Sequence, residues 1–245
     1  MEVRVNCPYC PTEDTKRHLY INTRKNVCHC KRCGWSGIWD RGTILPDLNK
    51  PNLSNKLSKV ELFKFSLRPT GMNGIERLYL YCLDRLPQQT VDRFIRWSPD
   101  LQTRVFFPVW DGGKVIAWNA RTIEQGITPR YLTWGNISTC IYNSENVADW
   151  AVLTEGPFDA LTSPHGICTF GKNISSLQFD LMVSKYNRIY WAFDKDTAND
   201  KKLKETKQKM RRFIEVVDLD LPQKDPNSIG VEGMIRLLKE RGANV

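Results

Sequence analysis

From residue 149 onward, short apolar runs alternate with amphipathic stretches, and this alternation restricts the fold more than any other feature of the 245-residue chain. The runs WAVLTE, GICTFG, RIYWAF and IEVVDLDL read as strands. The helices begin in FDALTS and then follow in SSLQFDLMVSKY, NDKKLKETKQKMRRF and VEGMIRLLKERG. Strands this apolar are buried on both faces, and strands that alternate with helices join in parallel. The expected class for 149–245 is therefore α/β with a mainly parallel sheet.

The preceding block reads as mixed α+β. Ile75, Leu78, Cys82 and Leu86 recur at helical spacing, which predicts a helix over 73–86. Pro87 cannot continue that helix and opens the next one, PQQTVDRFIRW. RVFFPVW and KVIAWNARTI flank Asp111-Gly112-Gly113, the pattern of a β-hairpin. Before them, 43–59 is rich in Pro, Asn, Ser and Lys and reads as a flexible linker. The expected organisation is a ribbon domain at 1–42, a linker at 43–59, an α+β subdomain at 60–148 and the α/β subdomain at 149–245.

The ribbon rests on cysteine spacing. Five of the eight cysteines lie within 7–33, too clustered for an exported disulfide scaffold and suited to a reducing compartment. Cys7 and Cys10 in CPYC, with Cys30 and Cys33 in CKRCG, give two thiolate pairs for one tetrahedral Zn²⁺. His18 is the alternative ligand. Cys28 shares the strand face of Cys30 and is expected to pack beneath the ribbon, with His29 facing outward. Cys82, Cys140 and Cys168 read as small buried apolar residues. Residues 1–42 carry eight Lys/Arg against four Asp/Glu. Lys16, Arg17, Lys31 and Arg32, with Tyr9, Trp35 and Trp39, form a basic-aromatic surface suited to single-stranded nucleic acid. The whole chain has a formal net charge of +9, which favours a polyanionic partner over a membrane. No apolar run is long enough to span a bilayer and no secretory leader is visible.

Acidic residues cluster at two expected strand ends. Glu155 closes WAVLTE and Asp159 follows in TEGPFDAL; Asp194 and Asp196 follow RIYWAF. Ligands of open α/β sheets gather outside the carboxyl ends of strands. Four carboxylates there imply bound cations, and oxygen-only ligands suit Mg²⁺ or Mn²⁺.

TEGPFDAL, FGKN and AFDKD together resemble a TOPRIM domain. RVFFPVWDGGKVIAWNARTI followed by TPRYLTWG resembles the first subdomain of the polymerase core of bacterial-type (DnaG-like) primases. CPYC…HLYIN…VCHCKRCGWSG resembles the four-cysteine zinc-binding domain of that family, common in bacteriophage forms. The resemblance covers roughly 1–40 and 75–230, in the family's order. It implies a DNA primase that makes short RNA primers de novo on single-stranded DNA from ribonucleoside triphosphates. Glu155, Asp194 and Asp196 match its catalytic acids, and with Asp159 its magnesium ligands; Glu155 fits either a metal ligand or a general base. Arg104, Arg121 and Arg130 match residues of its template and nucleotide groove. The ribbon, with Lys31, Arg32 and Trp35, would select the template start site. Asp225 matches an Asp-Pro position, and N-capping of the last helix explains it equally well.

The chain also departs from the family. Lys195 stands where a glycine is usual, which either puts a cation beside the expected triphosphate or simply points to solvent. A basic residue usual after the PRY run is not evident in GNISTCIYNSEN. No helicase-binding region or G-x-x-x-x-G-K-[ST] motor motif appears, so a separate replicative helicase is the expected partner within a primosome. The resemblance places the protein in the cytoplasm, that of a bacterial host if phage-encoded. The rival expectations are a RecR-type recombination mediator, which binds DNA without catalysis, and a TOPRIM nuclease.

Overall fold

The computed structural model describes residues 2–7, 17–24, 26–31, 36–40, 43–46, 57, 59–65, 73–145, 148–197 and 200–245. The chain divides into two compact units, Met1–Val60 and Glu61–Val245.

The first unit is an antiparallel sheet of β1 (Glu2–Val5), β2 (Leu19–Asn22), β3 (Val27–Cys30), β4 (Ser36–Asp40) and β5 (Thr43–Pro46), in that spatial order. Side-chain alternation sorts its residues. Leu19, Ile21, Cys28 and Cys30 point into a small core with Cys7, while Val27 and His29 face out. Trp39 packs against this core, so it does not belong to the exposed aromatic surface expected of it. The stretch 43–59 also differs from the expected linker at its start. Thr43–Pro46 pairs with β4 in the register Ile38↔Leu45 and Trp39↔Ile44. Its three-residue apolar and β-branched run was masked by the Pro-, Asn- and Ser-rich residues that follow.

In the second unit α1 (Asn73–Leu83) buries Ile75, Leu78 and Cys82 on one face. Pro87 precedes α2 (Gln88–Phe94). Strands β6 (Arg104–Asp111) and β7 (Lys114–Thr122) form the expected hairpin, and β8 (Tyr131–Trp134) adds to β7. The hairpin turn needs Gly112 and Gly113, at φ 53° and 78°.

A four-stranded parallel sheet follows, in the order β10-β9-β11-β12: β9 (Trp150–Thr154), β10 (Gly166–Cys168), β11 (Arg188–Trp191) and β12 (Glu215–Asp218). The helices are α3 (Pro157–Thr162), α4 (Ser176–Lys185), α5 (Lys201–Met210) and α6 (Pro226–Glu240). Their starts are locally specified. Ser175 and Gln178 make a capping box, and the Asp200 and Asp225 carboxylates accept from first-turn backbone N–H groups. Ala151, Leu153, Ile189 and Trp191 pack on one sheet face with Met182 and Leu203; Val152 and Tyr190 pack on the other with Met234 and Leu238. Both faces are covered, which accounts for strands without polar alternation.

Gly166 permits close approach of β10 to α3. A Cβ there would lie 1.9 Å from the Ala160 carbonyl oxygen. Cys82, Cys140 and Cys168 are buried, and burial pushes the Cys82 thiol up to about 12 and that of Cys140 to about 11. Thiols held protonated in this way act as apolar packing. Among the described residues no helix is long and apolar enough to cross a membrane.

Candidate active site

The chain runs from β9 to β10 on one side, then crosses to β11 on the other side of β9. The crevice outside the carboxyl ends of β9 and β11 is thus a topological switch point, where open α/β sheets bind ligands. Glu155 directly follows β9 and Asp194 closely follows β11. Parallel pairing of Leu153 with Trp191, and the Ala192 N–H donated to the Leu153 carbonyl at 2.9 Å, hold the two strand ends together. Asp196 lies in the short helical turn Lys195–Thr197. Asp159 lies in the first turn of α3, close over Gly156, whose added Cβ would meet its Oδ2 at 2.9 Å.

These carboxyls share one electrostatic environment. Burial raises the Glu155 carboxyl above its ordinary range, and the charges of Asp194 and Asp196 raise it further. Burial likewise raises Asp194, with Asp225 and Asp196 adding to it. Asp159 is raised from 3.8 to about 7, chiefly by burial, with Asp194 and Asp225 contributing and the Asn227 N–H opposing. Glu155 Oε2 and Asp194 Oδ1 are buried oxygens with no hydrogen-bond partner. Anionic oxygens without donors are costly, and a hard divalent cation is the ligand that fits them. Among the described residues, however, no group of three or more His, Cys, Asp or Glu side chains is drawn together as a metal cluster. The expected four-carboxylate set is therefore looser than one coordination sphere. Asp159 Oδ1 accepts from the Asn227 N–H at 3.1 Å.

Three residues at the site were not anticipated. The Lys172 ammonium, 3.0 Å from Asp200, lies within the field of Glu155 and Asp196. Lys224 acts on Glu155 and Asp194. Asn227 donates its N–H to Asp159, and its side chain donates to the Arg85 carbonyl and to Thr162 Oγ1. The signal for two of them was adjacency: Lys172 follows Gly171, and Lys224 precedes Asp225. Gly171 itself, at φ 132°, donates its N–H to the Glu155 carbonyl at 2.9 Å. Asp225 caps α6, accepting from the Ser228 N–H at 2.7 Å.

The groove arginines divide. Arg121 lies among Phe158, Tyr81 and Tyr131 at 5.5–5.9 Å from their ring centres, and its charge reaches Asp159. Its buried Nε has no hydrogen-bond partner. Arg130 is exposed beside Tyr131. Arg104 departs from expectation: it is 4% exposed and donates to the carbonyls of Ala120, Pro129 and Arg130 at 2.7–3.2 Å. A guanidinium committed to three backbone carbonyls braces the entry to strand β8. Lys195 is exposed; its ammonium donates to the Pro222 carbonyl at 3.1 Å and its N–H to that of Lys224.

In the first unit, β1 and β3 run parallel with β2 between them, and Val5, Leu19 and Cys30 are in register at one sheet end. Cys7, just beyond β1, and Cys30 therefore come to the same end, and both are buried in the small core. Two thiols placed in this way fit half of a tetrahedral thiolate site. Lys31 and Arg4 both stand over the Tyr20 ring, at 4.2 and 4.5 Å. Cys10, Cys33, Arg32 and Trp35, with Tyr9 and Lys16, lie outside the described residues.

No family model matches the chain, and no curated protein matches it. Solved structures do. The zinc-binding and RNA polymerase domains of the Aquifex aeolicus primase match with TM-score 0.53 at 16% identity, over 98% of this chain and 78% of that one. The primase fragment of the bacteriophage T7 primase-helicase protein matches with TM-score 0.52 at 15% identity, over 98% of both chains. A DnaG primase catalytic domain bound to single-stranded DNA matches with TM-score 0.56 at 14% identity, over 77% of both. At such identities the likeness is one of fold: the second unit's mixed sheets and parallel α/β layer are those of primase catalytic cores.

Proposed function

We propose that this protein is a DNA primase of the bacterial type, a DNA-dependent RNA polymerase that begins chains de novo on single-stranded DNA. The observation that carries this reading is the pair of buried, unpartnered carboxylate oxygens of Glu155 and Asp194 at the switch point. The shared fold with primase fragments supports it. The parallel layer is read as a TOPRIM subdomain.

In this reading Glu155, Asp194 and Asp196, with Asp159 behind them, hold Mg²⁺ or Mn²⁺. When bound, the cation neutralises the triphosphate and stabilises charge developing at the transferred phosphorus. The 3′-hydroxyl of one nucleotide attacks the α-phosphorus of the next. The new O–P bond forms, the bond to the β-phosphate breaks, and pyrophosphate leaves. Glu155, whose raised basicity suits proton uptake, takes the hydroxyl proton or serves as ligand. Arg121 and Arg130 face the incoming nucleotide or template phosphates, with Tyr81 and Tyr131 as stacking surfaces. Arg104 supports them by fixing the 129–130 backbone. Lys195, Lys172 and Lys224 limit repulsion between the carboxylates and the triphosphate.

The first unit is read as a zinc ribbon: Cys7, Cys10, Cys30 and Cys33 hold Zn²⁺, which shapes the surface without chemistry. Lys31, Arg32 and Trp35 then contact the template at the start site. A separate replicative helicase is the proposed partner, and the bacterial cytoplasm the proposed location. The test is RNA synthesis on single-stranded DNA with Mg²⁺ and ribonucleotides. Asp194→Ala should abolish it while zinc content, measured by mass spectrometry, stays unchanged. Undiminished synthesis by that variant would remove the carboxylates from the mechanism.

A further inference from the structure

Helix α5 and the turn that ends it carry cations that the mechanism does not use. Some are neutralised locally. Lys201 meets Glu205 at 3.9 Å, and Lys207 and Arg211 both meet Asp218. Lys202, Lys209 and Arg212 are exposed, and among the described residues no carboxylate pairs with them. Lys202 and Lys209 stand seven residues apart, two helical turns, so they share one stripe of α5. Arg212 follows in the turn, its N–H donated to the Lys209 carbonyl at 3.1 Å. A run of surface cations alone is an ordinary solvated face. This one ends at an exposed aromatic ring.

Phe213 is 62% exposed, the most exposed large apolar side chain among the described residues. Its ring centre lies 6.0 Å from that of Phe179, edge to face. The Lys209 ammonium stands 4.5 Å from the same Phe179 ring. Phe179 is buried in α4, so it holds Lys209 and Phe213 side by side at the surface. At its other end the stripe reaches the crevice. Asp200 caps α5 and pairs with Lys172 at 3.0 Å, and the Lys172 ammonium lies within the field of Glu155 and Asp196. The ten residues of α5 span about 15 Å between these two ends.

The partner that fits is a flexible polyanion with flat rings free to leave a stack. Single-stranded nucleic acid has both properties: its phosphates meet the cations and an unpaired base stacks on the ring. A duplex keeps its bases stacked within itself, and an acidic peptide leaves Phe213 without a flat partner. We propose that Lys202, Lys209, Arg212 and Phe213 form a track for the single-stranded template, running from the crevice along α5. The three cations hold phosphates and Phe213 stacks one base. That the strand is a template rests on the primase reading. The track takes no part in the chemistry. It extends the grip on the template beyond Arg121 and Arg130, and so slows its loss between nucleotide additions.

The test is fluorescence anisotropy of a labelled oligothymidylate with the full chain, over a range of salt, without nucleotides or added divalent cation. The signal then reports contacts and not catalysis. Replacing Lys202, Lys209 and Arg212 together by alanine should lower the log–log salt slope by about two, since each phosphate contact on a single strand contributes about 0.7. Lys239→Ala makes a single charge change on α6, which packs on the other face of the sheet, and should leave the slope unchanged. Phe213→Ala should weaken binding about tenfold, and Phe213→Trp should restore it. Replacement of Phe213 by p-benzoylphenylalanine should cross-link the strand on irradiation. An unchanged slope in the triple variant would overturn the proposal. So would an equal fall with Lys239→Ala, a Phe213→Trp variant as weak as Phe213→Ala, or no adduct at position 213. Track signatures as expected, without any primer synthesis, would support the track and remove the primase reading instead.

Discussion

Asp159→Asn isolates the electrostatic cost of the crevice. The side chain is held at about 7 instead of 3.8, chiefly by burial. A folded-state value above the unfolded one means that the native protein binds the extra proton between these two pH values. Stability is then highest below about 4 and is lost as pH rises to about 7. A shift of roughly three pH units at about 1.4 kcal/mol each sets an upper bound of ~4 kcal/mol. Relaxation and water entry reduce this to about 2–4 kcal/mol. The asparagine keeps the oxygen that accepts the Asn227 N–H but never ionises. Urea unfolding in EDTA should therefore show nearly equal stabilities below about pH 4 and, by pH 5, a gap already more than about a third of its full size. At pH 8 the variant should be the more stable by about 2–4 kcal/mol. A saturating divalent cation should narrow that gap by binding the native carboxylates. A stability difference that is the same at pH 5 and pH 8 would refute the reasoning, as would a variant less stable at pH 8.

Other outcomes follow from the same geometry. Glu155→Gln should raise the metal-free melting temperature at pH 8 by relieving repulsion from Asp194 and Asp196, yet lower primer yield by about 10²–10³-fold. Gly166→Ala forces a Cβ onto the Ala160 carbonyl and should cost at least about 1–3 kcal/mol in urea unfolding. Arg104→Lys loses carbonyl bonds and should cost about 1–3 kcal/mol, with the salt slope of DNA binding unchanged. Arg130→Ala should leave stability within about 0.5 kcal/mol and reduce that slope by about one.

The strands and helices of the second unit were legible because each is locally consistent: apolar strands, capped helices and a double-glycine turn. Glu155 and Asp194 were legible for a related reason, since strand ends can be read from where an apolar run stops. What the sequence hid was long-range. Arg104 carries the same charge as Arg121, but only the fold shows that three carbonyls from residues 120, 129 and 130 surround it. Asn227 reaches Asp159 across 68 positions, and no local pattern announces that bond. The looseness of the carboxylate set was also hidden. Residue types at strand ends give the charges but not the distances between them. β5 was missed because composition averaged over 43–59 concealed a short β-forming run at its start.

The central claim is that these carboxylates start RNA chains from single nucleotides. The most direct measurement uses γ-³²P-labelled ribonucleoside triphosphates with single-stranded DNA templates of varied sequence and Mg²⁺. The label survives only at a 5′ end that began with an intact triphosphate. Short RNA products that retain it, and that vanish with Asp194→Ala, are the predicted result. No labelled oligomer on any template, with annealing or cleavage of the DNA instead, would contradict the account.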